Sequence, residues 1–490
     1  MIKKTGKTQR DPKFIEALIP IAVLIGSIVL IVKMFGDDSM SGGAQVSILL
    51  ATAVAVFISM ICCNTKWNDI ENAITENIKS IGSALIMLFL IGAIGSTWMA
   101  SGVVPTMIVY GLKILSPKIF LFATVIICSI ISLLTGSSWT TIATFGVALI
   151  SIGQSFGIPA AICAGAIISG AYFGDKLSPL SDTTIMASQT VGTPLFTHIR
   201  YMLITTTPTM TITLIIFLII GFSFDIQPIS QTLELSGQIS GLFNISPWLL
   251  LVPVLTAVLI AMKLPTLITL FMASVFAIIP MCFAQPQFMG LLTGTANPDG
   301  MEITKAIIQT IFEGAEVNTG IESLDSLAST SGMAGMLNTI WLILCAACFG
   351  GAMIGGKMIN SITNTIIKYL KSTVAMVSAT SLTGILCNIC ISDQYLSIIL
   401  NSSLYKKFYE KEGYEPRLLS RTIEDSTTVT SVLVPWNTCG MTQSTVLGVA
   451  TLSYLPYCFF NYLSPAMTIM IAAIGYKIKN AKETKLIRKK

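Results

Sequence analysis

Long apolar runs follow one another along most of this sequence, separated by short polar or charged segments. A helix needs about 20 apolar residues to cross the hydrocarbon core of a bilayer. Runs of about that length lie at residues 14–35, 44–63, 81–103, 119–135, 139–155, 157–174, 200–223, 247–262, 264–284, 336–356, 373–391, 417–436, 443–459 and 461–476. Because some of them are too short or too polar to cross completely, we predict an all-α polytopic membrane protein with about 10 to 13 transmembrane helices, plus re-entrant pieces and broken helices.

Composition supports this prediction. Hydrophobic residues make up 53% of the chain and charged residues 11%, against roughly 45–50% and about 25% in soluble globular domains. Two stretches, 119–174 and 426–476, contain no Asp, Glu, Lys or Arg. The run 14–35 follows a basic start and precedes no small-residue cleavage site, so we predict that it is the first transmembrane helix and not a cleaved signal.

The formal net charge of +5 is concentrated at the two ends of the chain. A basic patch that binds nucleic acid would lie on one face of a domain, so we expect no nucleic-acid partner. By the positive-inside rule both ends are cytoplasmic, and the acidic segment 285–335 is external. We therefore predict a first transmembrane half over 1–284, an acidic external loop over 285–335, and a second transmembrane half with a basic tail over 336–490.

Eleven cysteines and one histidine carry no recognisable metal or catalytic pattern. Two Cys-x-x-Cys pairs lie inside apolar runs, where a thiol behaves as a small hydrophobic side chain. The chain has no His-Glu-x-x-His segment and no nucleotide-binding Gly-x-x-x-x-Gly-Lys-Ser/Thr segment. We therefore predict no resident cofactor, no ATP-driven step and no enzymatic activity.

Polar breaks interrupt the apolar runs at related places in the two halves. In the first half, segment 135–141 is followed by segment 173–184; in the second, 388–395 is followed by 424–431. An offset of 250 residues would place Asp175 on Asp425. Paired breaks of this kind are typical of transporters built from repeats, with the substrate site near the bilayer midplane.

The first break combines carboxylates, hydroxyls and a proline. Asp175, Lys176 and Asp182 come directly after a long apolar run, and Pro179 between them frees backbone carbonyls. Carbonyl, carboxylate and hydroxyl oxygens are the ligands that hard cations prefer. The sequence therefore predicts a cation site, although an ion pair that only stabilises the fold is the alternative for Asp175 and Lys176.

The residues expected to hold the cation or a proton come from both halves. The carboxylates are Asp175, Asp182, Asp393, Glu424 and Asp425. The neutral ligands are Ser137, Ser178, Thr183, Asn388, Thr430 and Asn437. Lys176 could replace the cation by pairing with a carboxylate when the site is empty.

Two segments resemble the NhaC-type sodium/proton antiporters. These are Gly170-Ala-Tyr-Phe-Gly-Asp-Lys-Leu-Ser-Pro-Leu-Ser-Asp-Thr-Thr184, and Glu424-Asp-Ser with Val434-Pro-Trp-Asn-Thr-Cys-Gly440. The resemblance covers nearly the whole chain and implies inverted repeats, helical hairpins and elevator-type movement. Segment 137–141 departs from the Gly-Thr-Ser-Trp-Gly pattern of the family's first hairpin, so a close backbone approach that depends on glycine is not expected there.

The resemblance implies sodium and protons as the exchanged ions. We expect exchange of cytoplasmic Na+ for external H+ across the cell membrane, with both ends of the chain cytoplasmic. Within the same family, sodium- and proton-coupled exchange of malate for lactate is the alternative, and the quoted motifs do not separate the two. An intramembrane enzyme and a passive channel are more distant alternatives. The oligomeric state stays open, with a homodimer implied by the resemblance.

Overall fold

The computed structural model describes residues 9–35, 42–224, 229–262, 264–321, 324–325, 328–368, 370 and 372–478. Within these ranges the chain is helical and has no strand, which confirms the predicted all-α class. The longer helices are Phe14–Phe35, Gly43–Phe57, Trp67–Ser80, Gly82–Ala100, Val103–Ile114, Phe120–Thr135, Val147–Ser155, Ala160–Leu177, Asp182–Val191, Leu195–Ser223, Ile229–Leu242, Leu251–Ala261, Thr266–Phe283, Gly300–Phe312, Leu337–Gly355, Met358–Ile367, Thr373–Ile391, Gln394–Glu412, Thr438–Leu447 and Phe459–Ile474. Short helices are Ser138–Thr141, Pro286–Thr293, Pro416–Ile423 and Thr451–Tyr454, and π-helical segments are Ile58–Cys62, Ile142–Gly146 and Glu424–Thr428.

The described helices include eight that are long and apolar enough to cross a membrane. Two further pairs of helices pass the same test together but bend at a short break, by 88° and 55°, so the number of spans reaches ten if each pair is one span. The chain is therefore a multi-pass membrane protein, and the upper count meets the lower end of the predicted range.

Four segments carry the polar breaks and are named here by their place in the chain. The first hairpin is 120–155, which turns at Gly136, and the first broken helix is 160–191, with its break at 178–181. The second hairpin is 373–412, which turns at Ser392. The second broken helix is 416–447, with its break at 434–437. Hairpins and broken helices are thus present in both halves, as predicted.

The two halves repeat with an offset of 256 residues. Positive-φ residues and helix caps match at that spacing, in the pairs Gly136 and Ser392, Ser137 and Asp393, Gly157 and Gly413, Ser181 and Asn437, and Gly192 and Gly448. The breaks 178–181 and 434–437 have the same length and the same offset. The offset of 250 predicted from the carboxylates is therefore wrong, and Asp175 corresponds to Ser431.

The repeat begins before the hairpins. Helix Gly82–Ala100 and helix Leu337–Gly355 have the same length and are 255 residues apart. The residue that begins the next helix is left-handed in each copy, with φ 77° at Gly102 and φ 56° at Lys357. One repeat therefore contains a long helix, a shorter helix, a hairpin and a broken helix.

Glycines let the first broken helix approach the first hairpin closely. A Cβ atom at Gly170 would lie 2.4 Å from the Val125 carbonyl oxygen, and one at Gly174 would lie 2.3 Å from that of Ser129. Small residues four apart allow this kind of helix contact inside membranes, where packing replaces the hydrophobic effect as the driving force. The contact fixes Asp175, the next residue, beside the tip of the hairpin.

The segment predicted as the acidic external loop contains helices Pro286–Thr293 and Gly300–Phe312. Its last part packs on helix Gly82–Ala100, where the Gly332 N–H donates to the Ser96 hydroxyl at 3.0 Å. Hydrogen bonds from the Thr319 hydroxyl and N–H hold the pKa of the exposed Asp325 below its usual range. The basic ends 1–8 and 479–490 lie outside the described residues, so orientation remains a prediction.

Candidate ion site

A cavity of about 590 Å³ opens where the first hairpin tip, the first break and the start of the second hairpin arm Gln394–Glu412 meet. Asp175 and Asp182 line it, together with the hydroxyl residues Ser137, Ser181 and Thr183. Among the described residues that line the cavity there is no lysine or arginine. The sequence predicted four of these five residues as site residues, namely all but Ser181, and the structure brings them to one cavity.

Asp175 is held at the tip of the first hairpin. Its Oδ2 atom accepts hydrogen bonds from the Ser138 N–H at 3.1 Å and the Ser138 hydroxyl at 2.7 Å. Ser138 is the first residue of the second hairpin arm, 138–155, and a helix N-terminus stabilises a negative charge. The carboxylate is 7% exposed and forms part of the cavity wall.

The break at 178–181 is shaped by local hydrogen bonds and by one close approach. The Ser178 hydroxyl is buried and accepts from the Leu180 N–H at 3.2 Å, and Ser181 caps the next helix. Gly136 lies so near Leu180 that a Cβ atom would be 2.7 Å from its carbonyl carbon. The expectation that the tip lacks such an approach is therefore wrong: the glycine precedes the segment considered.

Directly after Asp175, the side chain of Lys176 is buried on the side of the second repeat. Its Nζ atom forms an ion pair with Asp425 and donates to the Ser464 hydroxyl at 3.1 Å. Arg421 Nε lies 3.9 Å from the other oxygen of Asp425, and its guanidinium lies over the Tyr201 ring. We call Lys176, Asp425 and Arg421 the buried ion cluster; all three side chains are 0% exposed.

Glu424 connects this cluster with the cavity. Its Oε1 atom accepts from the Thr183 hydroxyl at 3.3 Å, and Thr183 lines the cavity. Its Oε2 atom has no hydrogen-bond partner among the described residues. The structure therefore separates the predicted carboxylates, with Asp175 and Asp182 at the cavity and Glu424 and Asp425 behind its wall.

The remaining candidates hold the second break together. Asp393 caps helix Gln394–Glu412 by accepting from the Leu396 N–H at 2.9 Å, and Asn437 caps helix Thr438–Leu447. Asn388 donates to the Thr430 hydroxyl at 3.0 Å. Nowhere in the described ranges do three or more His, Cys, Asp or Glu side chains converge as a metal site would require. These residues therefore lie close to one another but are not part of the cavity wall.

Some residues of the site were missed from the sequence. Ser138 anchors Asp175, whereas the sequence pointed to its neighbour Ser137. Gln394 and Tyr395 line the cavity, and they belong to the polar break of the second half. The signal that could have found them is their place directly after a hairpin turn, at an offset of 256 from Ser138 and Trp139.

Comparison with known proteins gives a consistent result. The sequence model of the Na+/H+ antiporter family matches residues 12–190 and 170–476. A protein of Alkalihalophilus pseudofirmus named Na+/H+ antiporter NhaC is 38% identical over 427 residues, which cover 86% of this chain and 88% of that protein. A Bacillus subtilis protein named malate-2H+/Na+-lactate antiporter is 35% identical over 474 residues, 96% of each chain. A second B. subtilis protein, named NhaC, is 34% identical over 431 residues, 87% of this chain and 91% of that protein.

These matches extend over both repeats and include both hairpins and both broken helices. They confirm the resemblance found in segments 170–184 and 434–440, and the relatives described here are all named as antiporters. With its membrane-spanning helices and its paired broken helices, the chain belongs to the Na+/H+ antiporter family.

Proposed function

We propose that this protein exchanges cytoplasmic Na+ for external H+ across the cell membrane. The observation that carries the proposal is the cavity, into which the first break brings two carboxylates and several hydroxyls without a lysine or arginine among the described lining residues. Carboxylate and hydroxyl oxygens suit a hard cation and disfavour an anion. Membership of the family supports Na+ as that cation.

The site works by placing charge where it is costly. A carboxylate inside a membrane is stabilised by a cation, by hydrogen-bond donors or by protonation. Ser138 supplies two donors to one oxygen of Asp175, and Asp182 stands across the break at the start of the next helix. Sodium bound between Asp175 and Asp182 would take further oxygens from Ser137 and Thr183. Exchange follows if protonation of a carboxyl in this region displaces the sodium.

The test uses everted membrane vesicles with an imposed pH gradient. Addition of NaCl should dissipate the gradient, and Asp175→Asn should slow this response at least about tenfold because a neutral amide removes one charge that binds the cation. Asp69→Asn, an exposed aspartate on helix Trp67–Ser80, is the matched control and should respond like the wild type. An Asp175→Asn protein that inserts normally and keeps full exchange would refute the proposal.

A second candidate function has one observation in its favour. The cavity volume of about 590 Å³ is far larger than one ion requires and lies within the range of small-molecule sites. An exchanger of small organic acids, such as malate for lactate, would use that space, as the name of one relative indicates for that protein. If the pH gradient collapses only when malate or lactate accompanies sodium, this second function replaces the first.

We propose further that both ends of the chain are cytoplasmic and that the protein forms a homodimer in the bilayer. The charge distribution supports the first statement and the family resemblance the second. Protease accessibility of a C-terminal tag in intact cells and in everted vesicles tests the orientation. The mass of the purified protein in detergent tests the dimer.

A further inference from the structure

We propose that Glu424 carries the exchanged proton, at a position separate from the two carboxylates of the cavity. The proposal depends on the proposed sodium/proton exchange and assigns its two ions to different groups. Asp175 and Asp182 would hold sodium, and Glu424 would hold the proton. The hydroxyls of Ser181 and Thr183 would connect Glu424 with the cavity.

Glu424 is a buried carboxyl that is only half satisfied. The residue is 0% exposed and lies in the π-helical segment Glu424–Thr428 of the second broken helix. One oxygen accepts from Thr183, and the other has no hydrogen-bond partner in the described part of the chain. Burying a carboxylate oxygen without a donor is costly, and a proton on that oxygen removes the charge. π-Helical segments occur often at functional sites.

A chain of hydroxyls leads from the cavity to this carboxyl. The Ser181 and Thr183 hydroxyl oxygens are 3.0 Å apart, and the Thr183 hydroxyl donates to Glu424 Oε1 at 3.3 Å. Both residues line the cavity, whereas Glu424 does not. A hydroxyl can donate one hydrogen bond while it accepts another, so this pair has the connectivity that proton transfer requires.

The transfer balances without any further reactant than cavity water. A proton from a hydronium ion binds the Ser181 oxygen while the Ser181 proton moves to Thr183. The Thr183 proton moves to Glu424 Oε1, which converts the carboxylate into a carboxylic acid and leaves a water molecule in the cavity. Rotation of the two hydroxyls restores the starting arrangement, and the reverse sequence releases the proton.

Charged groups from three elements face Glu424 or its neighbours. Lys176 and Asp175 on the first broken helix and Asp425 beside it interact with Glu424 electrostatically. Arg421 lies one turn earlier on the same helix, close to Asp425. His198 on helix Leu195–Ser223 contacts the Ser420 hydroxyl at 2.9 Å. The two cations Lys176 and Arg421 balance Asp425 and an anionic Glu424 together, so the carboxylate form has its countercharge already in place.

This arrangement couples the two ions. An anionic Glu424 adds negative potential near Asp175 and so favours sodium in the cavity, whereas a protonated Glu424 does not. By reciprocity, bound sodium favours loss of the proton from Glu424 by the same factor. Sodium and proton then exclude each other without sharing the same oxygens.

The experiment separates sodium movement from proton movement in reconstituted vesicles. The first measurement is exchange of ²²Na+ for Na+ at equal pH on both sides, and the second is sodium-driven proton flux. Glu424→Gln should keep sodium-for-sodium exchange within about threefold and reduce proton flux at least about tenfold. Asp175→Asn should reduce both, because it damages the sodium site itself.

Each outcome decides the proposal. If Glu424→Gln keeps both fluxes, or if a normally inserted protein loses both, Glu424 is not a separate proton carrier. If the wild type itself moves no protons in response to sodium, the proposed exchange fails, and that failure is seen before any variant is made.

A second pair of variants keeps the test decisive if Glu424→Gln does not fold. Thr183→Val removes the hydroxyl at nearly constant volume, and Thr183→Ser keeps it. Proton flux should fall at least about tenfold more than sodium-for-sodium exchange in Thr183→Val, and Thr183→Ser should restore it. Equal loss of both fluxes in the valine variant would overturn the connection through Thr183.

Discussion

Gly136 and Ser392 occupy the same turn in the two hairpins, and both have left-handed backbone, with φ 68° and φ 63°. A residue with a Cβ atom pays roughly 1–2 kcal/mol for this conformation. At Gly136 an added Cβ would also meet Leu180, whereas at Ser392 that cost is already present in the native chain.

This pair gives opposite expectations for reciprocal substitutions. Gly136→Ala should lower the free energy of unfolding by about 2 kcal/mol, and Ser392→Gly should raise it by up to about 1 kcal/mol. The midpoint of thermal unfolding in detergent measures both effects. A stabilised Gly136→Ala protein would show that the close approach to Leu180 is not required.

At the scale of residues, the sequence predicted the carboxylates of the cavity better than their partners. Asp175 and Asp182 stand out because charge is rare in an apolar run. The contacts that define their surroundings join Lys176 to Asp425 and Thr183 to Glu424, pairs about 245 residues apart in sequence. No local pattern encodes such pairing, since it depends on how the two repeats pack.

At the scale of elements, the contact between the first hairpin and the first broken helix positions the site. A Cβ atom at Gly174 would lie 2.3 Å from the Ser129 carbonyl oxygen and 2.6 Å from the Leu133 nitrogen. Backbone atoms of a packed helix cannot move aside as a flexible side chain can. The helices must therefore separate if Gly174 is enlarged.

Gly174→Ala should destabilise the protein by about 1–3 kcal/mol, the usual cost of overpacking, and should impair exchange because Asp175 is the next residue. Gly95→Ala, in helix Gly82–Ala100, is the matched control, since a Cβ atom there meets nothing within 4 Å. Thermal unfolding and sodium-driven proton flux are measured for both. Equal behaviour of the two variants would contradict the role given to this helix contact.

Element types were readable from the sequence, but the alignment of the two halves was not. Asp175 and Asp425 attracted a match at 250 because both are carboxylates, whereas turns and caps align at 256. Backbone geometry is what the repeat preserves, and the same turn is made by Gly136 in one copy and by Ser392 in the other. Side-chain chemistry was therefore a poor guide to the register.

At the scale of the whole molecule, the repeat predicts how access to the cavity alternates. Transporters built from related halves change state when the two halves exchange shapes. Cys439 occupies the place of Thr183 in the second repeat, and it is buried. We therefore expect Cys439 to line a cavity when the present one is closed.

Thiol labelling tests this expectation in a protein without the other ten native cysteines. A membrane-impermeant reagent should label Thr183→Cys from one side of the membrane and Cys439 from the opposite side during transport. The Thr183→Cys protein for this comparison lacks all eleven native cysteines. Labelling of both from the same side would contradict an exchange of shapes between the repeats.

The ion pair between Lys176 and Asp425 has no counterpart in the repeat. The positions that correspond to it are Val432 and Ser169, which carry no charge. Two halves with identical side chains would give two states of equal energy, each populated half of the time. Because the charge is unequal although the backbone is not, we expect the protein to rest mainly on one side of the membrane, so that the direction in which it waits is set by a few buried charges.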